Sequence, residues 1–342
     1  MRYKLLGKSG LRVSELALGT MTFGEDWGFG ASKEESQKIF NAFTEAGGNF
    51  IDTAVNYTNG TSETYLGEFI QSKREQYVVA TKYSLNTRRH DPNGGGNHRK
   101  NLVQSVEASL KRLRTDYIDL LWLHAWDFLT PVEEVMRALD DLVRVGKVLY
   151  VGISDTPAWI VSQANTLASL RGWTPFIGLQ VEYNLMQRAP ERDLLPMARA
   201  FDIGVTAWAP MAGGALTGKY KNNNSDPKRL SPNSARLKDK NILIAEAVVE
   251  IANEIGHSPA QVAINWVRQQ SGVMIPIVGA RKEFQMKENL ESVQFKLEPE
   301  HLEQLNKVSK IDLGFPHDFL ASESVLNALH GETLSLIDYP RK

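Results

Sequence analysis

Asp52, Lys82 and His124 each close an apolar, strand-like run of the chain, and Tyr57 follows Asp52 by five residues. The runs are Asn49-Phe50-Ile51-Asp52, Tyr77-Val78-Val79-Ala80-Thr81-Lys82 and Ile118-Asp119-Leu120-Leu121-Trp122-Leu123-His124. A polar or ionisable group at the end of a buried strand is costly unless something uses it. If the strands are parallel and close into a barrel, their C-terminal ends converge on one mouth and these residues become neighbours. Such a set supports proton transfer. The Tyr57 hydroxyl is the proton donor, and its unperturbed pKa of about 10 must fall for it to work near neutrality, which a nearby ammonium, Lys82, is expected to bring about by stabilising the phenolate. Asp52 would hold that cation in place and keep it charged, and His124 would orient or polarise a substrate oxygen.

The elements that must carry these residues are legible as an alternation of apolar runs and helical periodicities. After a hairpin-like start over Leu5 to Val13, with Gly7 and Gly10 as turn residues, eight strand candidates appear: Glu15–Leu18, Asn49–Asp52, Tyr77–Thr81, Ile118–His124, Val148–Ser154, Gly178–Glu182, Gly204–Trp208 and Met274–Val278. Several are β-branched and apolar on both faces, as buried parallel strands are. Between them, Lys33–Ala46 follows Ser32 as N-cap, Leu102, Val106, Leu110 and Leu113 recur at helical spacing, and Val132–Val145 is preceded by Thr130-Pro131, expected to supply cap and first turn. Eight β/α units without a linker predict an α/β fold of the (β/α)8 TIM-barrel class in a single domain, with its core over about 3–311 and a C-terminal extension over 312–342. The polar stretch from Gly213 to Lys240 is expected to be a mobile flap, and the tail's Phe315, Phe319, Leu326 and Leu329 are expected to pack over the barrel.

The bulk composition excludes several classes. The chain has 342 residues, 39 basic and 40 acidic, so no positive footprint for nucleic acid or an anionic membrane stands out. It has no cysteine, which removes disulfides, thiolate nucleophiles and Cys-based metal sites. No run approaches the roughly 18 apolar residues that span a bilayer, and no secretory h-region opens the sequence, so the expected location is cytoplasmic. No oligomeric state follows from the sequence. His90, His98, His257, His301, His317 and His330 are expected at the surface.

Several motifs together give the chain a resemblance to the aldo-keto reductase superfamily, in the branch of bacterial general-stress and aryl-alcohol-dehydrogenase-like proteins. They are Leu18-Gly19-Thr20-Met21, Asn49 through Tyr57, Thr81-Lys82, Asp119 through His124, Gly146-Lys147-Val148, Gly152-Ile153-Ser154 and Gln180 through Asn184. The resemblance runs from about Tyr3 to about Ile311. It implies reversible hydride transfer between a nicotinamide dinucleotide and a carbonyl carbon, with Asp52, Tyr57, Lys82 and His124 as the catalytic tetrad. It also implies that Gly19, Thr20, Met21 and Asp52 border the cofactor, that Ser154, Asp155 and Gln180 hold the nicotinamide carboxamide, and that Trp208 stacks on its ring. Asp155 stands where the family usually has asparagine. Ala209, Pro210, Met211, Gly213, Leu216, Gly218 and Lys219 resemble the pyrophosphate-covering segment, and Gly279, Arg281, Lys282, Gln285, Glu288 and Asn289 the adenosine site. Arg281 and Lys282 suit a 2′-phosphate and so favour NADP, while Gln285, where NADP-preferring members often have arginine, leaves NAD open.

Phe23, Trp27, Trp126 and Phe128 would either wall the mouth for an apolar aldehyde or aromatic alcohol or, some of them, pack against the C-terminal tail. No metal is expected, because a metal-dependent barrel hydrolase needs several converging ligands and only His124 sits at a strand end. Gly213 to Lys219 also fits the start of a triphosphate-binding P-loop, but Tyr220 stands where that motif needs Ser or Thr. The same barrel also serves in cofactor-sensing, channel-associated β subunits, and an intact tetrad does not distinguish such a protein from an enzyme.

Overall fold

The computed structural model describes residues 1–220, 230–231 and 233–338. Two short strands, β1 (Tyr3–Leu5) and β2 (Arg12–Ser14), form an antiparallel hairpin. Eight further strands, β3 (Ala17–Gly19), β4 (Phe50–Asp52), β5 (Val78–Tyr83), β6 (Ile118–Leu123), β7 (Val148–Ser154), β8 (Phe176–Glu182), β9 (Gly204–Trp208) and β10 (Met274–Val278), close into a parallel barrel, with β10 pairing to both β9 and β3. The helices between them are α1 (Lys33–Glu45), α2 (Thr61–Ile70), α3 (Arg99–Leu113), α4 (Val132–Arg144), α5 (Ala158–Arg171), α6 (Leu194–Ala200), α7 (Asp239–Ile255) and α8 (Pro259–Arg268); α9 (Glu283–Glu291), α10 (Pro299–Val308), α11 (His317–Leu320) and α12 (Glu323–His330) follow the last strand. The (β/α)8 barrel expected from the alternation is the observed architecture. No described helix is long and apolar enough to cross a membrane.

The barrel interior is filled rather than open. Trp122 is fully buried at its centre, beside Phe50, Leu120, Ala80 and Ile275. Its indole fits because β7 and β8 carry glycine alongside it: a Cβ on Gly152 would lie 2.3 Å from the ring and one on Gly178 2.7 Å from it. The hairpin plugs the N-terminal end, where Leu6 packs on Gly204 and Gly7, at φ +55, sits so close that a Cβ would meet Ile177 O at 2.3 Å. That position needs glycine for both reasons. With one end plugged and the interior packed, the C-terminal mouth is the part of the barrel left for chemistry.

Local signals mostly act as read. Ser32 caps α1 by accepting from Glu35 N, and Leu102, Val106 and Leu113 form the buried face of α3. Before α4 the expectation fails: Pro131 occupies the N-cap without a side-chain bond, and the Thr130 hydroxyl donates instead to Asp127 Oδ2 at 2.8 Å. The tail also departs from expectation. Phe315, Phe319 and Leu329 are 84%, 56% and 64% exposed, because α11 and α12 are short and α12 packs mainly on the turn that follows it, Gly331–Leu336, rather than on the barrel. Of the expected flap, the description covers a 3₁₀ turn over Ala212–Thr217 and a second over Ala235–Leu237; Asn222 to Pro227 lie outside the described residues.

Candidate active site

The parallel register sets the mouth. Gly19 pairs with Asp52, Asp52 with Ala80, Lys82 with Trp122, and Ser154 with Gln180, which pairs in turn with Thr206. Asp52 therefore ends β4 one strand away from Lys82 on β5, and His124 follows β6 on the next. Tyr57 is brought in by the short loop after β4 and opens a 3₁₀ turn, Tyr57–Gly60.

Lys82 is the centre of the arrangement. It is fully buried, and its Nζ donates to Asp52 Oδ2 at 2.5 Å, to Thr53 O at 2.7 Å and to the Tyr57 hydroxyl at 3.1 Å. An ammonium has three protons, and all three are used. Because the Tyr57 oxygen accepts from Lys82, its own hydrogen is left to point toward another acceptor. Asp52 receives a second donor, Gln180 Nε2 at 3.0 Å. The His124 ring stands edge-on to Tyr57 with centroids 6.0 Å apart, and its Nδ1 is buried without a partner. Trp27 meets Tyr57 from another direction, with centroids 6.4 Å apart and an 80° interplanar angle.

Burial dominates the titration of these groups. It alone would lower Lys82, but the Asp52 carboxylate and the Tyr57 oxygen outweigh it and hold the ammonium above its ordinary range. Burial raises the Tyr57 phenol, and the Lys82 ammonium only partly opposes that rise. The expectation that Lys82 brings Tyr57 below its ordinary pKa is thus corrected: the phenol stays protonated, which is the form that donates. His124 falls to about 3, first through burial and then through the Lys82 charge, so it is neutral at physiological pH. A neutral imidazole with one unpaired nitrogen, a phenol with a free hydrogen and a fixed ammonium behind it can together grip and protonate one oxygen atom.

The backbone carrying His124 is braced by residues that the sequence did not single out. Asn97 donates from Nδ2 to Ala125 O at 2.8 Å and accepts from Asp127 N at 2.8 Å, while Ser84 Oγ accepts from Ala125 N at 3.1 Å. These contacts join the loops after β5 and β6, so no periodicity within either segment could have shown them. His98, expected at the surface, accepts from Asn101 N through Nδ1 and caps α3, with Nε2 buried. His301 pairs with Glu254 at 3.3 Å and His257 stacks on Phe295, whereas His90 is exposed.

The expected dinucleotide positions divide into those the structure gathers at the mouth and those it uses elsewhere. Ser154 Oγ is buried without a partner at the end of β7, in register with Gln180. Asp155 turns at φ +42 and accepts from Trp208 Nε1 at 3.1 Å. Ala209, Ala212, Gly213, Gly214 and Gly218 all take positive φ, which curls the segment after β9 and packs Lys219 against Gly214. Tyr220, where that motif needs a Ser or Thr hydroxyl, and the closed eight-stranded barrel speak against the triphosphate-binding reading. Asn184 Nδ2 holds the same segment by donating to Ala209 O at 3.0 Å. At the start of α9, Gln285 Oε1 accepts from Arg281 N at 3.0 Å, Lys282 is the N-cap and Asn289 lies buried behind Gly279.

Other expected positions point inward. Thr20 is fully buried and its hydroxyl is spent on Asp52 O and Ser62, and Leu216 is fully buried in the outer core, so neither side chain faces the mouth. Phe23 is a correction too: it is fully buried against Phe69 and lines no opening. Trp126 is half-buried on the core and Phe128 is 67% exposed at φ +57. Among the described residues no group of three His, Cys, Asp or Glu is gathered where it could hold a metal ion.

A closed parallel barrel of eight strands, with a buried Asp–Lys–Tyr chain and a neutral histidine at its C-terminal mouth, defines the class. The chain belongs to the aldo/keto reductase family, whose sequence model matches residues 15–310. Its relatives include the aryl-alcohol dehydrogenase [NADP(+)] of Phanerodontia chrysosporium, 38% identical over 94% of this chain and 89% of that protein. The norsolorinic acid reductase stcV of Emericella nidulans is 39% identical over 91% of this chain and 82% of its own length. The aldo-keto reductase ausK of Aspergillus calidoustus is 36% identical over 93% and 85%. The protein is an oxidoreductase of this family.

Proposed function

We propose that this chain transfers hydride reversibly between NADP(H) and the carbonyl carbon of an aldehyde or ketone, aromatic ones foremost, with Tyr57 as general acid in reduction and general base in oxidation. The observation that carries the reading is the three-way contact of Lys82 Nζ with Asp52, Thr53 O and the Tyr57 hydroxyl. The nicotinamide, when bound, supplies or takes up the hydride. The residues of the mouth fit it: Ser154 Oγ and His124 Nδ1 are buried polar atoms lacking partners, and the curled segment after β9 presents backbone at several positive-φ positions. Arg281 and Lys282 would face a 2′-phosphate, and the NADP(+) in the name of one relative supports that choice.

In reduction, the substrate oxygen would lie between Tyr57 and His124. Tyr57 would give up its proton as negative charge develops on that oxygen, because an alkoxide is a stronger base than a phenolate. Lys82 would then stabilise the phenolate left behind, and Asp52 would hold Lys82 charged. Neutral His124 would donate a hydrogen bond without competing for the proton. Trp27, edge-on to Tyr57, would offer aromatic surface to an aryl group. The test is turnover of a panel of aliphatic and aryl aldehydes, ketones and alcohols with NADPH and NADH. Reduction of aryl aldehydes, faster with NADPH, is expected. Tight dinucleotide binding with negligible turnover across the panel would overturn the assignment and favour a cofactor-sensing role.

A further inference from the structure

Asp155 follows Ser154 directly at the end of β7, with its backbone N–H donating to Gln180 O at 3.2 Å. Its φ of +42 is in the left-handed region, which Asp and Asn tolerate better than most residues. That turn aims the carboxylate across the mouth to β9, where Oδ1 accepts from the Trp208 indole N–H at 3.1 Å. The bond fixes the carboxylate in place, and an indole is a neutral donor that leaves its charge intact. Nearby, Lys82 is paired with Asp52, Glu182 with Arg236, His124 is neutral, and Arg192, which lines the same cleft, donates to Asp312 O. Asp155 therefore brings a carboxylate that no described cation pairs to the rim of the reacting centre.

We propose that Asp155 sets the preference between the two redox forms of the dinucleotide, its carboxylate favouring the oxidised, cationic nicotinamide over the neutral reduced one. The inference rests on the oxidoreductase reading above. An oxidised nicotinamide ring carries one positive charge, and the uptake of a hydride, with its electron pair, removes that charge. A fixed carboxylate therefore binds the two forms unequally, while contacts to the phosphates and ribose are shared by both. The equilibrium in solution is unchanged; the affinity ratio shifts, and with it the equilibrium among bound species, toward the alcohol and the oxidised dinucleotide, the products of carbonyl reduction. The field of Asp155 does extend to this centre. After burial, which raises the Tyr57 phenol most, Asp155 is among the charges that raise it further; the Asp155 carboxyl is itself raised, chiefly by desolvation, and the Trp208 N–H and the Lys82 charge oppose that rise only in part.

The experiment is direct titration of the full chain with NADP+ and NADPH, by calorimetry or intrinsic fluorescence, for the wild type and Asp155→Asn. Asparagine keeps the shape and tolerates the same φ. The quantity read is the ratio of Kd for NADPH to Kd for NADP+. Asp155→Asn is expected to lower this ratio by about three- to tenfold at low salt near pH 8. Raising ionic strength toward about 0.5 M should lower it in the wild type and do so more steeply than in the variant, a signature that a purely structural role would not produce. If the variant fails to fold, the salt dependence of the wild-type ratio remains decisive. A ratio that stays within about twofold in the variant, or a salt-independent wild-type ratio, would overturn the role of Asp155 while the oxidoreductase reading stands. Failure of the wild type to bind either form would overturn both.

Discussion

Asp52→Asn isolates the charge that keeps Lys82 an ammonium. In the native protein both partners are buried, 2.5 Å apart, and the remaining acceptors on Nζ are Thr53 O and the Tyr57 hydroxyl. Removing one partner of such a pair costs about 3–5 kcal/mol. Asparagine retains one oxygen for Lys82, and Gln180 can turn its amide to meet the new NH2, which places the expected loss near 3 kcal/mol at neutral pH. The pH dependence is the sharper signature. In the wild type Lys82 is held above its ordinary pKa, so its contribution is fully present below about pH 10.4 and adds no slope between about pH 7 and 9. Without Asp52 the largest remaining influence is burial, which lowers Lys82. The unfolded chain then binds the extra proton, and the variant gains stability as pH rises, by up to about 1.4 kcal/mol per unit. Urea unfolding of both proteins across that range should show the gap closing to about 1 kcal/mol or less near pH 9. A gap that is constant with pH, or below about 1 kcal/mol at neutrality, would refute the idea that Asp52 neutralises a buried ammonium.

Three further outcomes are expected. His124, depressed to about 3, should contribute stability that is present above its unfolded value of about 6.5 and lost as pH falls toward 3, at up to about 1.4 kcal/mol per unit, so His124→Gln should flatten that part of the acid unfolding curve. Gly152→Ala drives a methyl into the Trp122 ring and should cost about 1–3 kcal/mol by denaturant unfolding; an unchanged midpoint would show that the barrel centre can yield. Arg281→Ala should weaken NADPH binding by on the order of tenfold and NADH much less, and equal loss for both would remove the 2′-phosphate assignment.

Much of the barrel is legible in the sequence because apolar strand runs ending in polar residues have few other uses. Val148–Ser154, Gly204–Trp208 and Met274–Val278 match the observed strands residue for residue. The first barrel strand is displaced, running over Ala17–Gly19 instead of Glu15–Leu18, because the Glu15 carboxylate is committed to Arg2 N and Arg268 and lies outside the ladder. The convergence of Asp52, Lys82, Tyr57 and His124 was legible from topology alone. What failed were readings of apolar residues in loops and of long-range polar contacts. Phe23 and Leu216 have the same composition signal whether a ring or methyl faces a ligand or the core, and only packing decides it. The tail misled for the opposite reason: its apolar spacing resembles a core-facing helix, yet α11 and α12 are too short to bury much. Asn97, bonded across two loops to the backbone beyond His124, leaves no local trace at all.

The central claim is that the Tyr57 hydroxyl, set in place by Lys82, delivers the proton. Tyr57→Phe removes one oxygen atom and little else. Paired measurements of dinucleotide affinity and of single-turnover aldehyde reduction should show binding within about twofold of wild type and a rate lower by about 10²–10⁴. Reduction by the variant at the wild-type rate would contradict the account.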